Sequence, residues 1–126
     1  MDNKLNKPKH SLWKNGGYAI EGLIDIIKNE TSFKWQLFML FSLGIVAWSL
    51  PISFSASSVL FLSLFIPILA EVANSAIERV VDLVTKDYHI LAKKAKDVGA
   101  TMVILSLLVM ALIWIAVLLV EFKLVQ

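Results

Sequence analysis

Apolar residues dominate this chain in two long runs, and the polar positions that interrupt them predict its elements. From Trp35 to Ala70 there are 36 residues without a charge. A helix crosses the roughly 30 Å hydrocarbon core of a bilayer in about 20 residues, so this run is too long for one pass and long enough for two short ones. Within it, Pro51-Ile52-Ser53-Phe54-Ser55-Ala56-Ser57-Ser58 combines a proline with four serines and marks a turn. One span is expected at about residues 36–50, and a second from 57 to 84 that continues past its apolar half without a break signal. A third is expected at 98–120, where Met102–Val120 holds 19 uncharged residues.

Ahead of the first span the pattern changes. Ile20, Leu23, Ile24 and Ile27 fall at i, i+3, i+4 and i+7, with Glu21, Asp25 and Lys28 on the other side. This periodicity predicts an amphipathic helix over Tyr18–Asn29, ending at residue 30, that lies on the membrane surface or packs on the rest of the protein. Asn15-Gly16-Gly17 before it reads as a hinge. The fold class is all-α integral membrane: an N-terminal surface helix plus three transmembrane helices in a single membrane domain, 1–126.

Composition sharpens the picture. Of 126 residues 58% are hydrophobic and 17% charged, whereas soluble domains run at about 45–50% and about 25%. An ordinary soluble domain and a disordered chain are both excluded. Cysteine is absent, which removes disulfides, thiolate nucleophiles and Cys-based metal sites. A net charge of +2 is too small to point to nucleic acid. Its distribution says more, because eleven of the twelve Lys and Arg residues lie in Lys4–Lys34 or Arg79–Lys96. The positive-inside rule then puts the N-terminus and the loop between the last two spans in the cytoplasm, and the serine-rich turn and the C-terminus outside. No secretory signal is expected, because Met1–Gly17 is polar and lysine-rich.

The candidate chemistry lies where the second span leaves the membrane. At 100° per residue, Glu71, Asn74, Glu78 and Asp82 fall within roughly an 80° arc of one helical face. Counting about 1.5 Å per residue from Ser57 puts Glu71 roughly 21 Å down the bilayer, in its cytoplasmic half. Ionisable groups at that depth are costly and are functional candidates by default. Two carboxylates and an amide at i, i+3 and i+7 can hold a hard cation such as Mg²⁺, which takes one or two carboxylates and completes its shell with water and phosphate. Glu30 closes the surface helix and reaches the same depth as Glu78. Lys86-Asp87-Tyr88-His89 and Lys93-Lys94-Ala95-Lys96-Asp97 add charges at that surface. No G-x-x-x-x-G-K-[ST] loop is present.

The string Glu71-x-x-Asn74-Ser75-Ala76-Ile77-Glu78-x-Val80-Val81-Asp82, followed by Tyr88-His89 and Ala95-Lys96-Asp97-x-Gly99, resembles the signature of the small prokaryotic diacylglycerol kinases. Gly17-Tyr18, Gly22-Leu23 and Asn29-Glu30 extend the likeness over nearly the whole chain. The resemblance implies a homotrimer of three-span subunits in the bacterial inner membrane that moves the γ-phosphoryl group of Mg-ATP to diacylglycerol, giving phosphatidic acid. It makes Glu71 the general base and gives the metal to Glu30 and Glu78. Asn74 lines the site, and Tyr18, Asp87, Tyr88, His89, Lys96 and Asp97 match nucleotide-contacting positions together with Glu30 and Glu78. Lipid would run near Ile20, Phe33, Trp48, Ala100 and Trp114.

The chain departs from the family pattern at Ser11, where members carry arginine, and at Gln36, where they carry an acid. A polyprenol kinase of the same family is the alternative within the class. A small proton or ion pathway is the alternative outside it, since intramembrane carboxylates also mark proton relays.

Overall fold

The computed structural model describes residues 12–123. Ser11 and its neighbours Lys9 and His10 lie outside the described residues. Among the described residues there are only helices: α1 (Leu12–Asn29), α2 (Thr31–Ser49), α3 (Phe54–Ser63), α4 (Phe65–Val84) and α5 (Ile90–Glu121).

Each boundary has a local cause. α1 and α2 are separated by a single extended residue, Glu30, at φ −104° and ψ 112°. The Glu30 N–H still bonds Ile26 O at 2.9 Å, and its carbonyl takes the Lys34 N–H at 3.3 Å, so one residue ends one helix and opens the next. α2 stops at Leu50, extended at ψ 143°, because the residue before Pro51 is driven out of the helical region. Ser53 caps α3 by accepting the Ala56 N–H on its hydroxyl. At the other end of the molecule the His89 side chain accepts the Leu91 N–H and caps α5.

Several expected helix starts move, and the hydrogen-bond ladder of one expected helix is interrupted. Asn15-Gly16-Gly17 is not a hinge but lies inside α1; a Cβ at either glycine would meet nothing within 4 Å, so the helix runs through them without steric demand. α2 starts at Thr31 and α5 at Ile90, each ahead of the apolar run it contains. Apolar runs mark where a helix is wetted by lipid, whereas Lys, Glu and Ala continue the same helix into water. The expected second span is present as α3 and α4, whose hydrogen-bond ladder is interrupted at Leu64; Leu64 keeps helical angles, φ −65° and ψ −19°, and the two run on as one helical stretch, Phe54–Val84. Pro67, the third residue of α4, has no N–H for the Ser63 carbonyl, and a proline ring crowds the carbonyl four residues before it. The turn tightens to a Leu64 N–H bond with Phe61 O at 3.2 Å. The indole N–H of Trp114 reaches the Ser63 hydroxyl at 3.1 Å and ties α5 to the end of α3.

Among the described residues two helical runs are long and apolar enough to cross a membrane: Phe54–Val84 with 31 residues and Ile90–Glu121 with 32. In α5 only 11% of the most apolar stretch is buried within the chain. A core helix of a soluble protein would be mostly covered, so the exposed Ile104, Leu108, Leu112 and Ile115 mark a surface made for lipid or for other membrane helices. α2 is also apolar, but Lys34 and Gln36 occupy its first two turns.

The core is small and sits where α2, α3 and α4 meet: Phe33, Leu60, Leu64 and Pro67 are almost fully enclosed. α4 and α5 form the most extensive helix pair. α1 rests on α2, with Ile26 turned inward. The predicted apolar stripe of Ile20, Leu23, Ile24 and Ile27 is left exposed, so it is not packed on the rest of the chain.

A buried carboxylate and a charged cavity as the candidate active site

α4 carries the polar stripe, and α2 covers its upper end. Glu71 is 4% exposed. A bare carboxylate in such a position would be strongly disfavoured, and two donors from α2 meet it. The Ser32 hydroxyl donates to Oε1, and the Gln36 amide donates to Oε2 at 3.2 Å. Ser32 and Gln36 stand at i and i+4, one above the other on a single face of α2. The Gln36 carbonyl oxygen is buried with no hydrogen-bond partner.

One turn below, Asn74 faces two ways. Its amide donates to Glu78 Oε1 at 3.1 Å, while its own oxygen is buried without a partner. That oxygen lies against Gly99 of α5, where a Cβ would collide with it. Glycine at 99 thus lets α5 approach the stripe closely enough to seal Asn74. Glu78 is half-buried, and Glu30 reaches the same region from the α1–α2 corner. Arg79 binds Asp25 at 2.5 Å and Glu30 at 3.3 Å.

Beyond the stripe, the end of α4, the connecting loop and the first turns of α5 line an open cavity of about 520 Å³. Its walls contain all of Asp87, Tyr88, His89, Lys96 and Asp97, five of the residues expected at the nucleotide. Lys96 is paired with Asp82 at 2.5 Å and Lys93 with Asp97 at 2.6 Å. The loop is held by Thr85, whose hydroxyl accepts the Asp87 N–H at 3.1 Å. Tyr88 is 82% exposed at the rim.

The remaining expected site residues are dispersed. Tyr18 and Ile20 point outward from α1 and line no wall of this cavity. Glu30 is engaged by Arg79, Glu71 by α2 and Glu78 by Asn74. Among the described residues no group of three His, Asp or Glu side chains could hold a metal ion by itself. Glu30 and Glu78 each nonetheless keep a carboxylate oxygen that accepts no hydrogen bond among the described residues. Of the positions expected at the lipid, Trp48 and Ala100 are exposed. Phe33 is not: at 1% exposure it is a core side chain, turned inward on the face of α2 that also buries Gln36. Trp114 is half-buried and committed to Ser63.

Sequence reading missed Ser32 as a partner of Glu71 and took Gln36 only as a departure from pattern. Their i, i+4 spacing at the start of an apolar helix was the available signal. Lys86 and Lys93, expected only to add charge at that surface, also line the cavity.

These features define a class: a small all-helical membrane protein with a buried acid beside a charged cavity at one end of its helices. Residues 17–118 match the prokaryotic diacylglycerol kinase family, and the chain belongs to it. It is 32% identical to the diacylglycerol kinase of Escherichia coli (strain K12) over 102 residues, 80% of this chain and 83% of that protein. With the diacylglycerol kinase of Pseudomonas aeruginosa it shares 30% identity over 103 residues, 82% of this chain and 84% of that protein. The Helicobacter pylori (strain J99) diacylglycerol kinase is 32% identical over 103 residues, 82% of this chain and 80% of that one. The family expected from the α4 motif is the family found, and its class is a membrane lipid kinase.

Proposed function

We propose that the protein transfers the γ-phosphoryl group of ATP to the hydroxyl of diacylglycerol, giving phosphatidic acid at the cytoplasmic face of the bacterial inner membrane. The observation that carries this reading is the buried Glu71 carboxylate. It heads a stripe through Asn74 and Glu78 toward the cavity that gathers Asp87, Tyr88, His89, Lys96 and Asp97.

Glu71 takes the proton of the lipid hydroxyl as that oxygen attacks the γ-phosphorus, and ADP leaves from the opposite side. Ser32 and Gln36 hold the carboxylate in place for this step. Each uses one lone pair of a different oxygen, so further lone pairs remain to accept the substrate proton. Asn74 keeps Glu78 aimed along α4. Glu30 and Glu78, with their uncommitted oxygens, are suited to a hard cation that also takes water and phosphate oxygens. When bound there, Mg²⁺ would supply neutralisation of the phosphate charge. Lys96, with Asp97 and the 87–89 loop, holds the nucleotide, and Tyr18, which lines no wall of the cavity in its own chain, joins this set from the α1 of a neighbouring subunit. The lipid lies along the exposed faces of α1, α2 and α5, past Ile20, Trp48 and Ala100.

The subunit crosses the membrane three times, through α2, the α3–α4 run and α5, with the N-terminus cytoplasmic and the C-terminus periplasmic. Three subunits close around the stripe, because one chain leaves the faces beside it open to lipid. The test is ATP-dependent transfer of labelled phosphate to diacylglycerol in mixed micelles, with undecaprenol as competitor. Label in phosphatidic acid that undecaprenol does not divert supports the reading. Label that goes to undecaprenol alone replaces it with the polyprenol reading, and no transfer to either lipid refutes both.

A further inference from the structure

Arg79 stands beside the stripe, and the proposed reaction leaves it unused. It follows Glu78 by one position, about 100° round the helix, so it leaves the stripe and reaches toward α1. Its guanidinium meets Asp25 Oδ2 at 2.5 Å with one nitrogen and Glu30 Oε1 at 3.3 Å with another. Asp25 is held from its other oxygen by the Asn29 amide at 2.6 Å. Asn29, Asp25, Arg79 and Glu30 thus form one network joining the last turn of α1, the corner and α4.

Among the described residues little else fastens α1. Its apolar stripe is exposed, with Ile26 the inward-facing exception. The corner is one extended residue whose side chain makes no cap hydrogen bond to the helix it opens. Such a corner leaves the angle between α1 and α2 to be set by other contacts. A planar guanidinium can serve two carboxylates at once from fixed nitrogens, which a lysine ammonium cannot do with the same geometry.

We infer that Arg79 is a positioning residue: it fastens the surface helix to α4 and holds the Glu30 carboxylate against the helix that carries Glu78. The part concerning catalysis rests on the function proposed above, whereas the fastening of α1 stands on geometry alone. The two are tested separately with the full-length protein in lipid nanodiscs. Without nucleotide, hydrogen exchange is followed on peptides covering residues 20–30 in wild type, Arg79→Ala, Arg79→Lys and Asp25→Asn.

Partly exposed ion pairs are individually modest, so loss of both is expected to speed exchange of these amides by about fivefold and loss of one by about twofold. Exchange in α3 and α5 stays unchanged, which separates a released helix from a misfolded protein. Arg79→Lys keeps the charge and guards against a folding failure of the alanine variant; it is expected to lie between wild type and Arg79→Ala. In the phosphate-transfer assay, Arg79→Ala and Asp25→Asn raise KM for Mg-ATP and leave kcat near the wild-type value. Unchanged exchange in both Arg79 variants overturns the inference, because the bilayer alone would then hold α1. Faster exchange with KM unchanged overturns the positioning of Glu30. A wild-type protein that transfers no phosphate sinks the function reading, while the exchange experiment still decides the clamp.

Discussion

A single methyl group at position 99 tests whether the closed contact between α4 and α5 exists in the membrane. In Gly99→Ala the new Cβ would collide with Asn74 Oδ1, and it would stand 3.3 Å from Asn74 Cγ and 3.7 Å from Ile77 Cδ1. The collision is with a short side chain pinned on its far end to Glu78 at 3.1 Å, so the amide cannot swing away without losing that bond. Overpacking of this kind costs about 1–3 kcal/mol. A hydrogen bond to a charged partner is worth about 1.5–3 kcal/mol. Against both stands the helix-propensity gain of alanine over glycine, about 1 kcal/mol. A net destabilisation of about 2 kcal/mol follows, measured by reversible unfolding in mixed detergent micelles.

The sign of the effect should depend on Asn74. In an Asn74→Ala background the colliding oxygen is gone, and Gly99→Ala should become neutral or stabilising by up to about 1 kcal/mol. Gly44→Ala is the control, since its Cβ would come only to 3.3 Å from the edge of the Phe61 ring, which can give way. If Gly99→Ala unfolds within about 0.5 kcal/mol of wild type in both backgrounds, the helices are further apart than described and the sealing of Asn74 is wrong.

Other predictions address the chemistry. Glu71→Gln should abolish phosphate transfer while nucleotide affinity, followed by a fluorescent ATP analogue, stays near the wild-type value; a loss confined to affinity would contradict the base assignment. Ser32→Ala and Gln36→Leu each strip one donor from a buried carboxylate and should each destabilise the protein by about 1–3 kcal/mol in the same unfolding assay, with the double variant worse than either single one. Equal stability of both single variants and wild type would mean that α2 does not cover Glu71. Co-assembly of Glu71→Gln chains with Glu30→Gln chains should restore part of the activity that each lacks alone, because Glu30 and Glu71 sit on separate elements that neighbouring subunits can share. Activity at background in verified mixed oligomers would place both residues of a working site in one chain.

Much of this protein was legible as pattern. The stripe of Glu71, Asn74 and Glu78 follows from helical periodicity alone, and so does the amphipathic character of α1, because both depend only on residues within a few turns of one another. The cavity around residues 87–97 was also readable in outline, since a short loop must bring the end of α4 beside the start of α5. The interruption of the ladder at Leu64 was readable but passed over: Pro67 carries its own signal, hidden by the apolar residues on either side.

Other features were not present in the pattern at all. α2 is apolar on nearly every side below its first turns, so periodicity says nothing about which way it is rotated. In a bilayer, hydrophobicity does not choose between a neighbouring helix and lipid, and rotation is settled by close packing and by polar groups finding partners. That is why Phe33 faces the core rather than lipid, and why Ser32 and Gln36 turn out to be the partners of Glu71. For the same reason only the packed structure joins Arg79 to Asp25 and Glu30, 54 and 49 positions apart. The chain by itself determined that there are apolar helices, an acidic stripe and a charged loop. Tertiary packing decided which side chains meet, because the distances between helices and their rotations depend on contacts that no local sequence window contains.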